Sequence, residues 1–102
     1  MRLTFSERYV LQEVLPQQGS LAEQGLVKSI CDKSAITDEE KAKFNLRQEG
    51  TTIKWDATQD NTAEIGFDEA ELALIKTAVL QLDKDKKVTQ RNLSLCRKVL
   101  GI

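Results

Sequence analysis

Four predicted helices of this chain begin with the same signal: a side chain that can cap a helix, followed three positions later by a glutamate. The pairs are Thr4 with Glu7, Ser20 with Glu23, Thr37 with Glu40, and Asp68 with Glu71. In such a capping box the cap side chain accepts a hydrogen bond from the backbone N–H of the glutamate. The glutamate side chain in turn accepts one from the backbone N–H of the cap residue. Because apolar residues at helical spacing accompany these signals, the sequence predicts a mainly helical chain.

The predicted helices are bounded by these starts and by residues that end the apolar repeats. Pro16 and Gly19 end the first helix, since proline cannot donate a backbone hydrogen bond in a helix interior. Thr89 is predicted to cap the last helix, which continues to Leu100. The five predicted helices cover roughly residues 7–15, 21–33, 38–45, 69–82 and 90–100.

Between the third and fourth helices the pattern changes to one typical of strands. Residues 46–56 and 62–67 alternate polar and apolar side chains and contain β-branched and aromatic residues. Residues 57–61 between them are polar and turn-forming, so the sequence predicts one central β-hairpin. The run Gln48-Glu49-Gly50 is interpreted as an additional turn or bulge.

The length and the element order indicate one α+β domain spanning residues 1–102. Forty per cent of the residues are apolar, which suffices for one modest core. Three helices followed by a hairpin is also the order of a winged helix, whose third helix enters the DNA major groove. Here that helix begins with Asp38, Glu39 and Glu40, which would set carboxylates against phosphates. We therefore expect a winged-helix-like shape used on a protein, or another α+β packing.

Charge and cysteine content narrow the setting of the protein. The chain has fifteen Lys and Arg residues and sixteen Asp and Glu residues, and both kinds are spread evenly along it. The clustered positive charge that favours nucleic-acid binding is therefore missing. The sequence shows no signal peptide and no apolar run that could span a membrane. Cys31 and Cys96 stand in apolar runs and are predicted to be buried free thiols. We therefore expect a cytoplasmic protein that has no membrane partner, and nucleic acid is disfavoured as a partner.

The residue inventory also argues against catalysis. The chain has no histidine, which removes the usual proton shuttle, nucleophilic triads and histidine metal sites. Two distant cysteines do not form a zinc site, which needs four ligands. The sequence therefore predicts a protein that is not an enzyme, with no catalytic residue, cofactor or metal.

Trp55 is the candidate binding residue. Trp is enriched among residues that dominate interface energies, so Trp55 could anchor a partner, with Lys54 and Lys43 as charges at the rim. The alternative is an indole packed in the core, because the chain has only five aromatic residues. Both interpretations stay open at the level of sequence.

Three segments resemble a family of small proteins from tailed bacteriophages and prophages. They are Leu15-Pro16-Gln17-Gln18-Gly19, Gln48-Glu49-Gly50 and Ile53-Lys54-Trp55. The resemblance covers most of the chain and implies a viral gene expressed in a bacterial cytoplasm. It implies no activity and no site residues.

In that context we expect a small interaction module that binds and modulates a host or phage protein, for example as an inhibitor of host defence. The alternative is a structural or assembly component of the virion, which would self-associate or join a particle. A winged-helix-like regulator that binds nucleic acid is a third hypothesis.

Overall fold

The computed structural model describes residues 1–56 and 61–102. These residues form four helices of at least eight residues, one six-residue helix and two pairs of short antiparallel strands. In chain order the elements are β1 (Arg2–Leu3), α1 (Phe5–Val14), α2 (Leu21–Ser34), α3 (Asp38–Lys43), β2 (Arg47–Glu49), β3 (Thr52–Lys54), β4 (Ala63–Glu64), α4 (Glu69–Lys84) and α5 (Leu93–Leu100). The predicted α+β class is confirmed.

All four predicted capping boxes form, and each lies at the start of a helix. The cap side chain accepts the backbone N–H of the glutamate, and the glutamate carboxylate accepts the N–H of the cap. At α4, for example, Glu71 N–H donates to Asp68 Oδ1 at 2.8 Å, and Asp68 N–H donates to Glu71 Oε1 at 2.9 Å. Two backbone donors that lack a helical partner are thereby satisfied at each start.

The start of α5 differs from the prediction that Thr89 caps it. Asn92 occupies the cap position of α5, and its side chain makes no capping hydrogen bond. Thr89 instead closes a separate turn: its N–H donates to Asn92 Oδ1 at 2.8 Å, and Asn92 N–H donates to Thr89 Oγ1 at 3.3 Å. The hydrogen bonds between Thr89 and Asn92 thus order a turn ahead of the helix instead of capping it.

The predicted central hairpin is wrong in its pairing. Strand β2 pairs with β3 inside the segment that was predicted to be one strand, and β4 pairs with β1 at the N-terminus. Gly50 has a φ of +64° and Thr51 does not share that conformation, as in a two-residue type II′ hairpin turn. The N-terminal ammonium anchors the other pair, donating to Ile65 O at 2.8 Å. Most of the predicted loop, residues 57–60, lies outside the described residues.

The core forms where α1, α2, α4 and α5 meet. Helix α4 packs against α2 and α5, and α1 contacts both α4 and α5. The buried apolar cluster consists of Leu3, Val10, Leu11, Leu15, Ile30, Ile65, Ile75 and Leu95. Both cysteines are free, as predicted, but only Cys96 is buried and Cys31 is half-buried. None of the helices in the described part of the chain has the length and apolar character needed to cross a bilayer.

Candidate binding groove

The hairpin β2–β3 has two chemically distinct faces. Side chains alternate along a strand, so Arg47, Glu49 and Lys54 share one face. They form two ion pairs there: the Glu49 carboxylate lies 3.2 Å from Arg47 Nε and 3.0 Å from Lys54 Nζ. Ile53 and Trp55 belong to the opposite face. One face of the hairpin is therefore charged, and the other is apolar and turned towards α1.

Aromatic contacts fix the hairpin to the helical part of the molecule. The Trp55 ring lies 5.6 Å from the Phe5 ring at the start of α1, with an edge-to-face angle of 73°. Phe5 in turn contacts Phe44 at 4.9 Å and 79°. The Asp56 N–H also donates to Phe44 O at 2.8 Å. Edge-to-face pairs of this kind stabilise a contact beyond simple burial, so the hairpin has a defined position against α1.

A groove of about 700 Å³ lies between α1 and β3. Tyr9 and Trp55 are half-buried in its walls, and Ile53 is 41% exposed. The residues that line the groove are Ser6, Tyr9, Val10, Gln12, Glu13, Gln17, Thr51, Thr52, Ile53, Trp55 and Arg91. Apolar and aromatic surface with hydroxyl and amide groups around it is the usual lining of a binding cleft.

Among the described residues, Glu13 and Arg91 are the charged ones that line the groove, and they neutralise each other. Arg91 Nη2, in the turn before α5, lies 2.7 Å from Glu13 Oε1 on α1. Both side chains are more than half exposed, so the pair adds little to stability. The lining described here therefore has no net charge.

The structure separates the three predicted binding residues. Trp55 lines the groove and also packs on Phe5, so it is half-buried and still borders the groove. Lys54 is on the opposite hairpin face, paired with Glu49. The Lys43 ammonium lies 5.5 Å above the Phe44 ring. Neither lysine is among the residues that line the groove.

Sequence reasoning missed the α1 wall of the groove. Ser6, Tyr9 and Glu13 recur every three or four positions, which places them on one side of α1, and Gln17 follows beyond the end of the helix. This polar stripe with an aromatic residue was the available signal. It was overlooked because the apolar residues of the same helix define the core face.

Buried Glu71 and half-buried Glu40 are ionised carboxylates and are not poised for proton transfer. Hydrogen bonds from Arg8 lower the pKa of Glu40 to about 2, and the backbone N–H of Asp68, followed by Lys33, lowers that of Glu71 to about 2. A general acid at neutral pH needs a raised pKa instead. Among the described residues, no three Cys, Asp or Glu side chains form a group that could hold a metal ion.

Comparison of this chain with protein-family models, curated protein sequences and solved structures finds no match.

Proposed function

We propose that this chain is a binding module for another protein, which docks in the groove between α1 and β3. The observation that carries the proposal is the placement of Tyr9 and Trp55 in the walls of an open groove of about 700 Å³. Half-buried aromatic side chains supply contact area with little loss of conformational freedom.

The resemblance to small tailed-phage proteins supports a host or phage protein as the partner, bound and modulated in the bacterial cytoplasm. Free Cys31 and Cys96 support a reducing compartment, because paired cysteines are the rule in oxidising ones. Inhibition of a host-defence protein is one form that such modulation would take.

The experiment is affinity capture with the tagged chain from bacteria before and after phage infection, followed by mass spectrometry. Ile53→Ala removes an apolar side chain from the groove, where Ile53 is 41% exposed. Leu80→Ala is the matched control, because Leu80 is 46% exposed on α4 and is not a lining residue. We expect one partner to be captured by the wild type and by Leu80→Ala, and lost with Ile53→Ala.

Two results would contradict the proposal. Capture that survives Ile53→Ala unchanged would place the partner elsewhere on the surface. Recovery of particle proteins alone, or of the chain as an oligomer, would favour the virion component instead.

A further inference from the structure

We propose that the partner enters the groove as an extended segment and pairs as a third strand with the edge of β3 at Ile53. The inference rests on the proposed function, because it specifies how the groove holds its partner. The segment that fits is uncharged and alternates apolar with polar side chains.

The first argument is the hydrogen-bonding pattern of the hairpin. The two-residue turn Gly50-Thr51 makes Glu49 and Thr52 a hydrogen-bonded pair. Hydrogen-bonded and non-hydrogen-bonded pairs alternate along an antiparallel ladder, so Gln48 and Ile53 form a non-hydrogen-bonded pair. The backbone N–H and C=O of Ile53 therefore point away from β2. They form a donor and an acceptor on the outer edge of β3, available to a further strand.

The second argument is the position of the groove relative to that edge. The hairpin wall of the groove is formed by Thr51, Thr52, Ile53 and Trp55, and the described lining includes no residue of β2. In the part of the chain that the structure describes, β2 is also the one strand that pairs with β3. The groove thus follows the outer edge of β3, with α1 as its opposite wall. A cleft between a strand edge and a helix is a known geometry for binding an extended peptide by strand addition.

The third argument sets the chemistry of the segment. An added strand has alternate side chains on the face of Ile53 and Trp55, towards Tyr9 and Val10, and this half of its residues must be apolar. Glu13 and Arg91 neutralise each other at 2.7 Å. A charged segment would lose hydration without gaining a net counter-charge from the lining that the structure describes. An uncharged segment is therefore the one that complements this lining.

The test uses a displayed library of random peptides, from which binders are selected on the wild-type chain. The peptides have about eight residues, because this length exceeds the three residues of β3. The best binder is then added to the wild-type chain while amide hydrogen exchange is followed by NMR. We expect the exchange of the Ile53 N–H to slow about tenfold or more, because it becomes hydrogen-bonded. The Gln48 N–H, at the edge of β2, should be unchanged and serves as the internal control.

Substitutions then test the backbone contact directly. Ile53→Pro removes the outward N–H, whereas Ile53→Ala shortens the same side chain and keeps the N–H. Proline is tolerated at an edge position whose N–H is outside the ladder. We expect Ile53→Pro to weaken the peptide about tenfold more than Ile53→Ala does. Gln48→Pro, the matched change on the edge of β2, should bind like the wild type.

Failure of this inference is distinguishable from failure of the proposed function. Strand pairing alone would be overturned by peptides that bind Tyr9→Ala more weakly than the wild type, bind Ile53→Pro equally well, and leave amide exchange at Ile53 unchanged. A wild-type dimer that Ile53→Pro converts to a monomer would make a second copy the occupant and overturn the choice of partner. A selection that returns no binder would contradict both proposals.

Discussion

The capping boxes at the starts of α2 and α4 have the same local geometry and different surroundings. At α2, Glu23 is exposed, and its carboxylate accepts the N–H of Ser20 at 3.2 Å. At α4, Glu71 is 1% exposed and accepts hydrogen bonds from Ser29 and Lys33 of α2 besides the N–H of Asp68. The motif in the sequence is thus sufficient for the cap. Whether the carboxylate also joins two helices depends on what packs against it.

The box at α3 has a tertiary role like that of α4. Glu40 accepts two hydrogen bonds from the Arg8 guanidinium, at 2.7 and 3.0 Å, and so connects α3 to α1. Arg8, 3% exposed, also donates to Ser34 O at 2.9 Å and Ala35 O at 2.6 Å at the end of α2. Buried charges that lose a partner are strongly destabilising, whereas exposed pairs contribute little. The boxes should therefore differ in their sensitivity to mutation.

The largest effect should come from Arg8→Met, which leaves Glu40 and two carbonyl groups without their donor. We expect the free energy of unfolding to fall by about 3–4 kcal/mol. Urea denaturation followed by Trp55 fluorescence measures the change. A loss below about 1 kcal/mol would mean that water replaces the guanidinium without penalty.

Glu71→Gln should be the next largest. Glutamine can still occupy the third position of a capping box, so the change removes chiefly the charge that faces Lys33. We expect a loss of about 2–3 kcal/mol, whereas Glu23→Gln, the matched change in the exposed box, should stay within about 0.5 kcal/mol. Equal losses in the two variants would show that burial of Glu71 adds nothing to its role in the cap.

Acid should destabilise the wild type more than Glu71→Gln. The pKa of Glu71 is about 2 in the folded chain, below the ordinary value of 4.5. Below pH 4.5 the unfolded chain binds a proton that the folded chain does not, so stability present at neutral pH is lost as the pH falls towards 2. Between pH 6 and 3 we expect the wild type to lose about 2 kcal/mol more than Glu71→Gln does. Denaturation across this range measures the difference, and parallel curves would contradict it.

The smallest effect should be that of Ser20→Ala, which removes the cap of α2 while Glu23 stays in solvent. We expect a loss of about 1 kcal/mol, the usual contribution of an N-cap side chain. Ser20→Gly should recover most of it, since glycine at this position is only slightly worse than serine. Thermal unfolding of the wild type and the two variants provides the measurement. A Ser20→Ala variant as stable as the wild type would mean that Ser20 contributes no capping hydrogen bond.

Of the residues that line the two walls of the groove, Trp55 alone was singled out by the sequence. Trp55 stood out by its residue type. The polar stripe that contains Tyr9 was a signal on α1, but such a stripe also occurs on ordinary helix surface, and Ile53 resembles ordinary strand surface. The groove exists because the Phe5–Trp55 contact sets β3 beside α1, some fifty positions away in sequence. Lys54, the neighbour of Trp55 and Ile53, is absent from the lining because it is on the opposite face of the hairpin. Alternation along a strand puts neighbours on opposite faces.

The sequence by itself determined the four capping-box helix starts, the amphipathic faces and the class of fold, because a cap and an apolar repeat act within a few residues of chain. The tertiary structure decided which strands pair, which glutamates are buried and where Trp55 faces. Strand partners such as Arg2–Leu3 and Ala63–Glu64 are joined through backbone groups that every residue possesses, so residue types do not specify them. Packing selects among such pairings, and packing depends on the whole chain.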